Sequence, residues 1–148
     1  MPLHSLCLAP SFDVLSKFDS ELENQISKKM LSAGIELGSN SKYLFGKPDF
    51  VIKGECIAVF VHGCFWHRHH ACQRNGIPKT NSLEWASRFN RTVNRDLLVR
   101  RQLKKDGWVS VVIWECSIKA NSSKCVLELS RFIQNYKTGT FRSFTCVI

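Results

Sequence analysis

The sequence predicts an α/β sandwich, with helices packed around a mixed sheet in the order αββαβα. Three observations predict it. Apolar residues recur at helical spacing in three separate segments. Two short strand-like runs follow one another across a single tight turn, and a third apolar run lies between the second and third helical segments. At 148 residues, the chain has room for one core of adequate size.

The first helix is expected to run to Ala33. Asp19 or Ser20 can cap it, Leu22, Ile26 and Met30 share one face, and Gly34 stops it. A loop containing Gly38, Ser39, Asn40 and Ser41 follows. Gly46-Lys47-Pro48 then leads into a strand over residues 49–53, and Gly54 turns the chain into a second strand over residues 56–62. So short a link makes the pair a hairpin. Residues 63–80 are irregular and dense in Cys, His and aromatic side chains. Asn81 with Glu84 has the pattern of a capping box. It opens a long helix with Phe89, Val93 and Leu97 at four-residue spacing, ending near Gly107. Arg88, Arg91 and Arg95 can share an exposed face of that helix, where they suit phosphate contact. Residues 108–114 form a strongly apolar strand. Residues 124–136 close the domain as an amphipathic helix with Val126, Leu127, Leu129, Phe132 and Ile133. The domain is thus expected over residues 19–137, with an N-terminal arm over 1–18 and a C-terminal tail over 138–148.

Charge points to the partner. Lys and Arg number 21 against 12 Asp and Glu, a formal +9, and an excess of that size favours a polyanion, most often nucleic acid. No apolar run approaches membrane-spanning length, so no membrane partner is expected. Seven cysteines, at 7, 56, 64, 72, 116, 125 and 146, lack the density of a disulfide framework. With no convincing signal peptide in the first 30 residues, they suggest a reducing, cytoplasmic setting. Cys7, Cys56, Cys125 and Cys146 are expected to be plain core or terminal residues.

The most specific feature is the run from His62 to Cys72, which holds four of the five histidines. Cys64, His69 and Cys72 have the short spacing of a zinc half-site, and His67 or His70 could replace His69 as the nitrogen ligand. Structural zinc takes four ligands, and Cys116, just past the apolar strand, is the candidate for the fourth. Such a metal would staple a long irregular loop to the sheet.

Three segments carry a resemblance: Phe45-Gly-Lys-Pro-Asp-Phe-Val51, Val61-His-Gly-Cys-Phe-Trp-His67, and Gly107-Trp108 through Trp114-Glu-Cys116. Over roughly residues 19–135 the chain resembles the very-short-patch repair endonucleases, bacterial enzymes of restriction-endonuclease-like fold. Those enzymes nick DNA on the 5′ side of the T in a T:G mismatch. The resemblance implies a magnesium ion on Asp49 and the backbone carbonyl of Val61, with Glu23 holding metal-bound water. It implies that His62 is catalytic, that His67 lies at the active site, and that Asp96 supports His62. It carries the zinc ligands over to Cys64, His69, Cys72 and Cys116, and the aromatics that wedge into the duplex to Phe65, Trp66 and Trp85. The segment Ser11 to Leu15 departs from the family, which has Ser-x-x-Met before the first helix.

The chemistry is consistent with that implication. Phosphodiester hydrolysis needs an in-line water, neutralised phosphate charge and help for the leaving oxygen. Pro48 cannot donate to a ladder, so the sheet should be open where Asp49 begins its strand. Phe65 and Trp66 are adjacent and cannot both face one core, which leaves at least one exposed to stack or intercalate. The expected function is magnesium-dependent nicking of mismatched duplex DNA by a monomeric, bacterial or phage-encoded enzyme. The alternatives are a related restriction, homing or phage nuclease cutting matched sites, and a catalytically silent zinc-bound DNA-binding module.

Overall fold

The computed structural model describes residues 20–38, 43–140 and 145–148, apart from the side chains of Thr145 and Cys146. The expected arm over residues 1–18, Asp19, and the loop residues Ser39, Asn40 and Ser41 lie outside the described residues, as does Cys7.

Helix α1 spans Glu21–Ser32, and Ser20 is its cap. Ser20 Oγ accepts the Glu23 N–H at 3.2 Å and donates to Glu23 Oε1 at 2.8 Å, so the two residues close the first turn reciprocally. Ile26 and Met30 are fully buried on one face, as their spacing requires.

The strands are β1 (Leu37–Gly38), β2 (Phe50–Ile52), β3 (Ile57–His62), β4 (Val109–Trp114) and β5 (Thr145–Val147), lying in that order in one sheet. β1, β2 and β3 pair antiparallel, and β3, β4 and β5 pair parallel. The mixed sheet and the β2–β3 hairpin therefore match the expectation. The element order is longer than expected, at αβββαβαβ. β1 falls where a loop was expected and β5 within the expected tail. Both are two or three residues long and complete an edge of the central strands, so neither carries an alternation of its own to read.

Two core clusters divide the sheet by the two-residue period of its strands. Ile57, Val59, Val109, Val111 and Ile113 pack with Ile26 and Met30 of α1 and with Leu129 and Ile133 of helix α3, Glu115–Lys137. Ala58, Phe60 and Val112 pack on the other face against Val99 and Leu103 of helix α2, Ser82–Lys105. Covered on both faces, β3 and β4 read as continuous apolar runs.

Three local expectations need correction. Asn81 takes a left-handed conformation (φ 55°) and makes no side-chain cap, while Glu84 pairs with Arg88 at 2.7 Å, so no capping box forms there. On α2, Phe89, Val99 and Leu103 are buried, but Val93 is only half-buried and Leu97 is 44% exposed. Four-residue steps drift by about 40° each around a helix, which carries Leu97 off the buried face. α3 starts directly after β4 rather than near residue 124. It breaks at Asn121 (φ −162°), whose Oδ1 accepts the Lys124 N–H at 2.9 Å and so caps the second part. Leu127, placed on the apolar face by its sequence, is 50% exposed.

Cys56 is buried, as expected, but it is disulfide-bonded rather than a plain thiol. Cys125 is buried and free. Among the described residues, no helix is long and apolar enough to cross a membrane.

Candidate active site and metal centre

The site sits where the sheet stops pairing. β2 begins only at Phe50, because Pro48 has no N–H to offer and Asp49 is in a bend. The Val61 N–H, which would otherwise bond to β2, donates instead to Asp49 Oδ2 at 2.6 Å. In a strand the N–H and C=O of one residue point the same way, so the Val61 carbonyl opens on the Asp49 side. Gly46 fixes the approach to Asp49. Its φ is +84°, and a Cβ there would lie 2.3 Å from a methyl of Val99.

A cavity of about 150 Å³ lies beside these groups. Asp49, Val61, His62, His67, Arg95 and Asp96 all line it. Burial pushes the Asp49 carboxyl up to about 6, and nearby Glu23 adds to the rise, against the lowering effect of the Val61 N–H and His67. Glu23 of α1 thus lies close enough to act electrostatically on Asp49.

His62 ends β3 and is 5% exposed. Burial, with His67 beside it, pulls its pKa down to about 3, so the imidazole is neutral at ordinary pH. The His62 and His67 rings stack with centroids 3.7 Å apart and planes 11° from parallel. Asp96 of α2 meets His67, its Oδ2 lying 2.6 Å from Nδ1. Nδ1 of His62 has no hydrogen-bond partner among the described residues. The support expected for His62 therefore goes to His67. A carboxylate acceptor requires a proton on Nδ1 of His67, which leaves Nε2 for exchange with a substrate.

Cys64, His69, Cys72 and Cys116 also come together, their donor atoms all within 4.8 Å of one another, and they could hold a metal ion. His69 Nδ1 lies 3.6 Å from Cys64 Sγ and 3.3 Å from Cys116 Sγ. His69, not His67 or His70, is thus the nitrogen member of the cluster, and its ring stacks on Trp114 at 4.1 Å. The second His, Cys and carboxylate grouping is His62, His67 and Asp96. Glu115, not singled out in the sequence, anchors the loop to α3. It accepts the Cys64 N–H at 3.2 Å and an Arg74 N–H at 2.9 Å.

The aromatics form a third group. Phe65 packs edge-on against Trp66, Trp85 and Phe89 at centroid distances of 5.3, 5.6 and 5.1 Å. Trp66 is 49% exposed, whereas Phe65 and Trp85 are half-buried. Arg88, Arg91 and Arg95 are all exposed. Arg88 pairs with Glu84 and lies over the Trp85 ring at 5.4 Å, and only Arg95 of the three lines the cavity. Sequence reasoning missed Arg100, which also lines the cavity and acts on His62. Its position four residues after Asp96, on the same helical face, was the available signal.

The family model for the DNA mismatch endonuclease Vsr matches residues 13–74. The chain is 33% identical to the type II nicking enzyme V.NmeAIP of Neisseria meningitidis serogroup A, over 80% of this chain and 84% of that protein. It is 31% identical to the DNA mismatch endonuclease Vsr of Escherichia coli, over 82% of this chain and 77% of that protein. The type II nicking enzyme V.NmeDIP of Neisseria meningitidis serogroup C is 33% identical, over 76% of each chain. With these relatives covering about three quarters or more of its length, the chain belongs to the Vsr endonuclease family and is a DNA endonuclease, a hydrolase.

Proposed function

We propose that this enzyme nicks one strand of duplex DNA 5′ of the T in a T:G mismatch, as a monomer, in very-short-patch repair. We also read its α/β architecture as restriction-endonuclease-like. The observation that carries the nuclease reading is the convergence of Asp49, the Val61 peptide, His62, His67 and Asp96 on one cavity. An exposed tryptophan, Trp66, is the residue before His67 in the same loop.

Magnesium fits the donor set. Asp49 is a half-buried carboxylate with a second carboxylate nearby, an arrangement short of positive charge that a hard, oxygen-seeking cation would relieve. Asp49 and the Val61 carbonyl would hold that ion, with Glu23 reaching it through water. When bound, it supplies charge neutralisation at the scissile phosphate. The chain's own residues do the rest. Arg95 and Arg100 bring positive charge to the cavity wall. Asp96 holds His67 in one tautomer, so that Nε2 can take or give a proton during hydrolysis. Neutral His62 stacks on His67 and limits how that ring can turn.

Zinc fits the second set. Thiolate and imidazole ligands at tetrahedral zinc stand about 3.5 Å apart, against 3.6 and 3.3 Å here. Trp66, with Phe65 and Trp85 behind it, is placed to wedge beside a poorly stacked mismatch. Arg88, Arg91 and Arg95 would contact phosphates and position the duplex without reading its sequence.

The test is nicking of a T:G heteroduplex against its matched homoduplex in magnesium. Strand cleavage 5′ of the mismatched T on the heteroduplex alone is expected. Equal cutting of both would favour a nuclease of matched sites, the second function that this site could serve.

A further inference from the structure

We propose that a groove beside the catalytic cavity binds an unstacked nucleobase of the DNA substrate, making Tyr43 and Phe45 a second stacking element distinct from the Trp66 cluster. This rests on the nuclease reading above. The groove has a volume of about 820 Å³ and shares Gly46, Lys47, Arg95 and Val99 with the cavity, so the two are adjacent. A strand whose phosphate lies in the cavity would bring a neighbouring nucleotide beside it.

Its lining matches a nucleotide. Tyr43 is 82% exposed, Phe45 54% and Leu98 59%, a large apolar surface for a basic protein to leave in water. Arg91, Arg95 and Lys47 stand along it, with Asp106 the one acid among its lining residues. Aromatic faces beside cationic side chains are the arrangement that binds bases and phosphates together, and stacking tolerates any base because each has a π-face. The turn is also held in place: the Lys47 N–H donates to the Leu44 carbonyl at 3.0 Å. Gly46 presses against Val99 of α2, where no Cβ would fit. The aromatics therefore sit on a turn pinned to the helix that carries Arg91, Arg95 and Asp96.

Coupling between protein and DNA changes tests this. Binding is measured by fluorescence anisotropy with calcium in place of magnesium, on duplexes carrying one abasic nucleotide at each position within about five of the nicked bond. The wild type is compared with the double variant Tyr43→Ala/Phe45→Ala, whose fold is verified by circular dichroism and zinc content. The expected result is one position where the abasic site weakens wild-type binding about tenfold or more. The double variant should show that loss on intact DNA and no further loss at that position. Phe45→Trp should keep the coupling. A wild type that neither binds nor nicks any duplex overturns both the nuclease reading and the groove. A folded double variant that binds every duplex like the wild type, or whose losses multiply with the abasic loss at every position while nicking persists, overturns the groove alone.

Discussion

Asp49 faces opposite demands with and without its cation. Its carboxyl is raised from 3.8 to about 6, chiefly by burial. Below about pH 4 it is protonated in both folded and unfolded chains and costs nothing. As pH rises from about 4 to about 6 the unfolded chain ionises while the folded chain keeps its proton, so stability falls, by about 1–3 kcal/mol once pH exceeds 6. Asp49→Asn should therefore be more stable than wild type at pH 7.5 in magnesium-free buffer. Urea denaturation should show the gap closing below pH 4, while nicking is abolished throughout. An equally stable or weaker variant would mean that the carboxylate is paired in the folded chain. The histidines give a second measurement. His62→Ala or His67→Ala should each slow nicking by about 10²–10⁴. Asp96→Asn should do less harm and be strongly non-additive with His67→Ala, but couple more weakly to His62→Ala. The reverse pattern would return Asp96 to His62. The sequence placed all four residues in one site but not this pairing. Two imidazoles stand five residues apart, one ending β3 and one in the loop after it, and only the path of α2 decides which of them Asp96 meets.

At the scale of elements, legibility followed length and burial. β3, β4 and α2 were readable because long apolar or periodic segments leave few alternatives. β1 and β5 were not, since two or three edge residues carry no period. The start of α3 was hidden because Asn121 interrupts it and the first turns mix Cys, Ser and Lys with Ile118. The loop over residues 63–80 was legible through its cysteines and histidines rather than its backbone, and the structure brings Cys64, His69, Cys72 and Cys116 together. Within that loop, Trp66→Ala should weaken binding to a mismatched duplex more than to an intact one, because a wedge gains most where stacking is already poor. Anisotropy titrations on the two duplexes compare the losses, and equal losses would make Trp66 a packing residue for Phe65 and Trp85.

For the molecule as a whole, the formal +9 becomes an ionic-strength effect. DNA affinity should fall steeply between about 50 and 200 mM salt, as phosphate contacts release counterions. Titrations across that range give the number of contacts from the slope, and a flat response would remove the exposed arginines of α2 from the interface. Whole-molecule organisation has one more consequence, which follows from the register of β3 and β4. His62 is paired with Trp114, so the next residues of the two parallel strands include Cys64 and Cys116. The cavity residues and the Cys and His cluster therefore hang from the same two strand ends, and the two are expected to come loose together. In amide hydrogen exchange, the amides of His62 and Trp114 should behave as one opening unit with the loop over 63–72. Stripping the zinc should accelerate all of them together while Ile57 and Val109, at the far ends of the same strands, stay protected. A loop that exchanges freely over slow strand ends would show that the enzyme can lose its staple and keep its catalytic geometry.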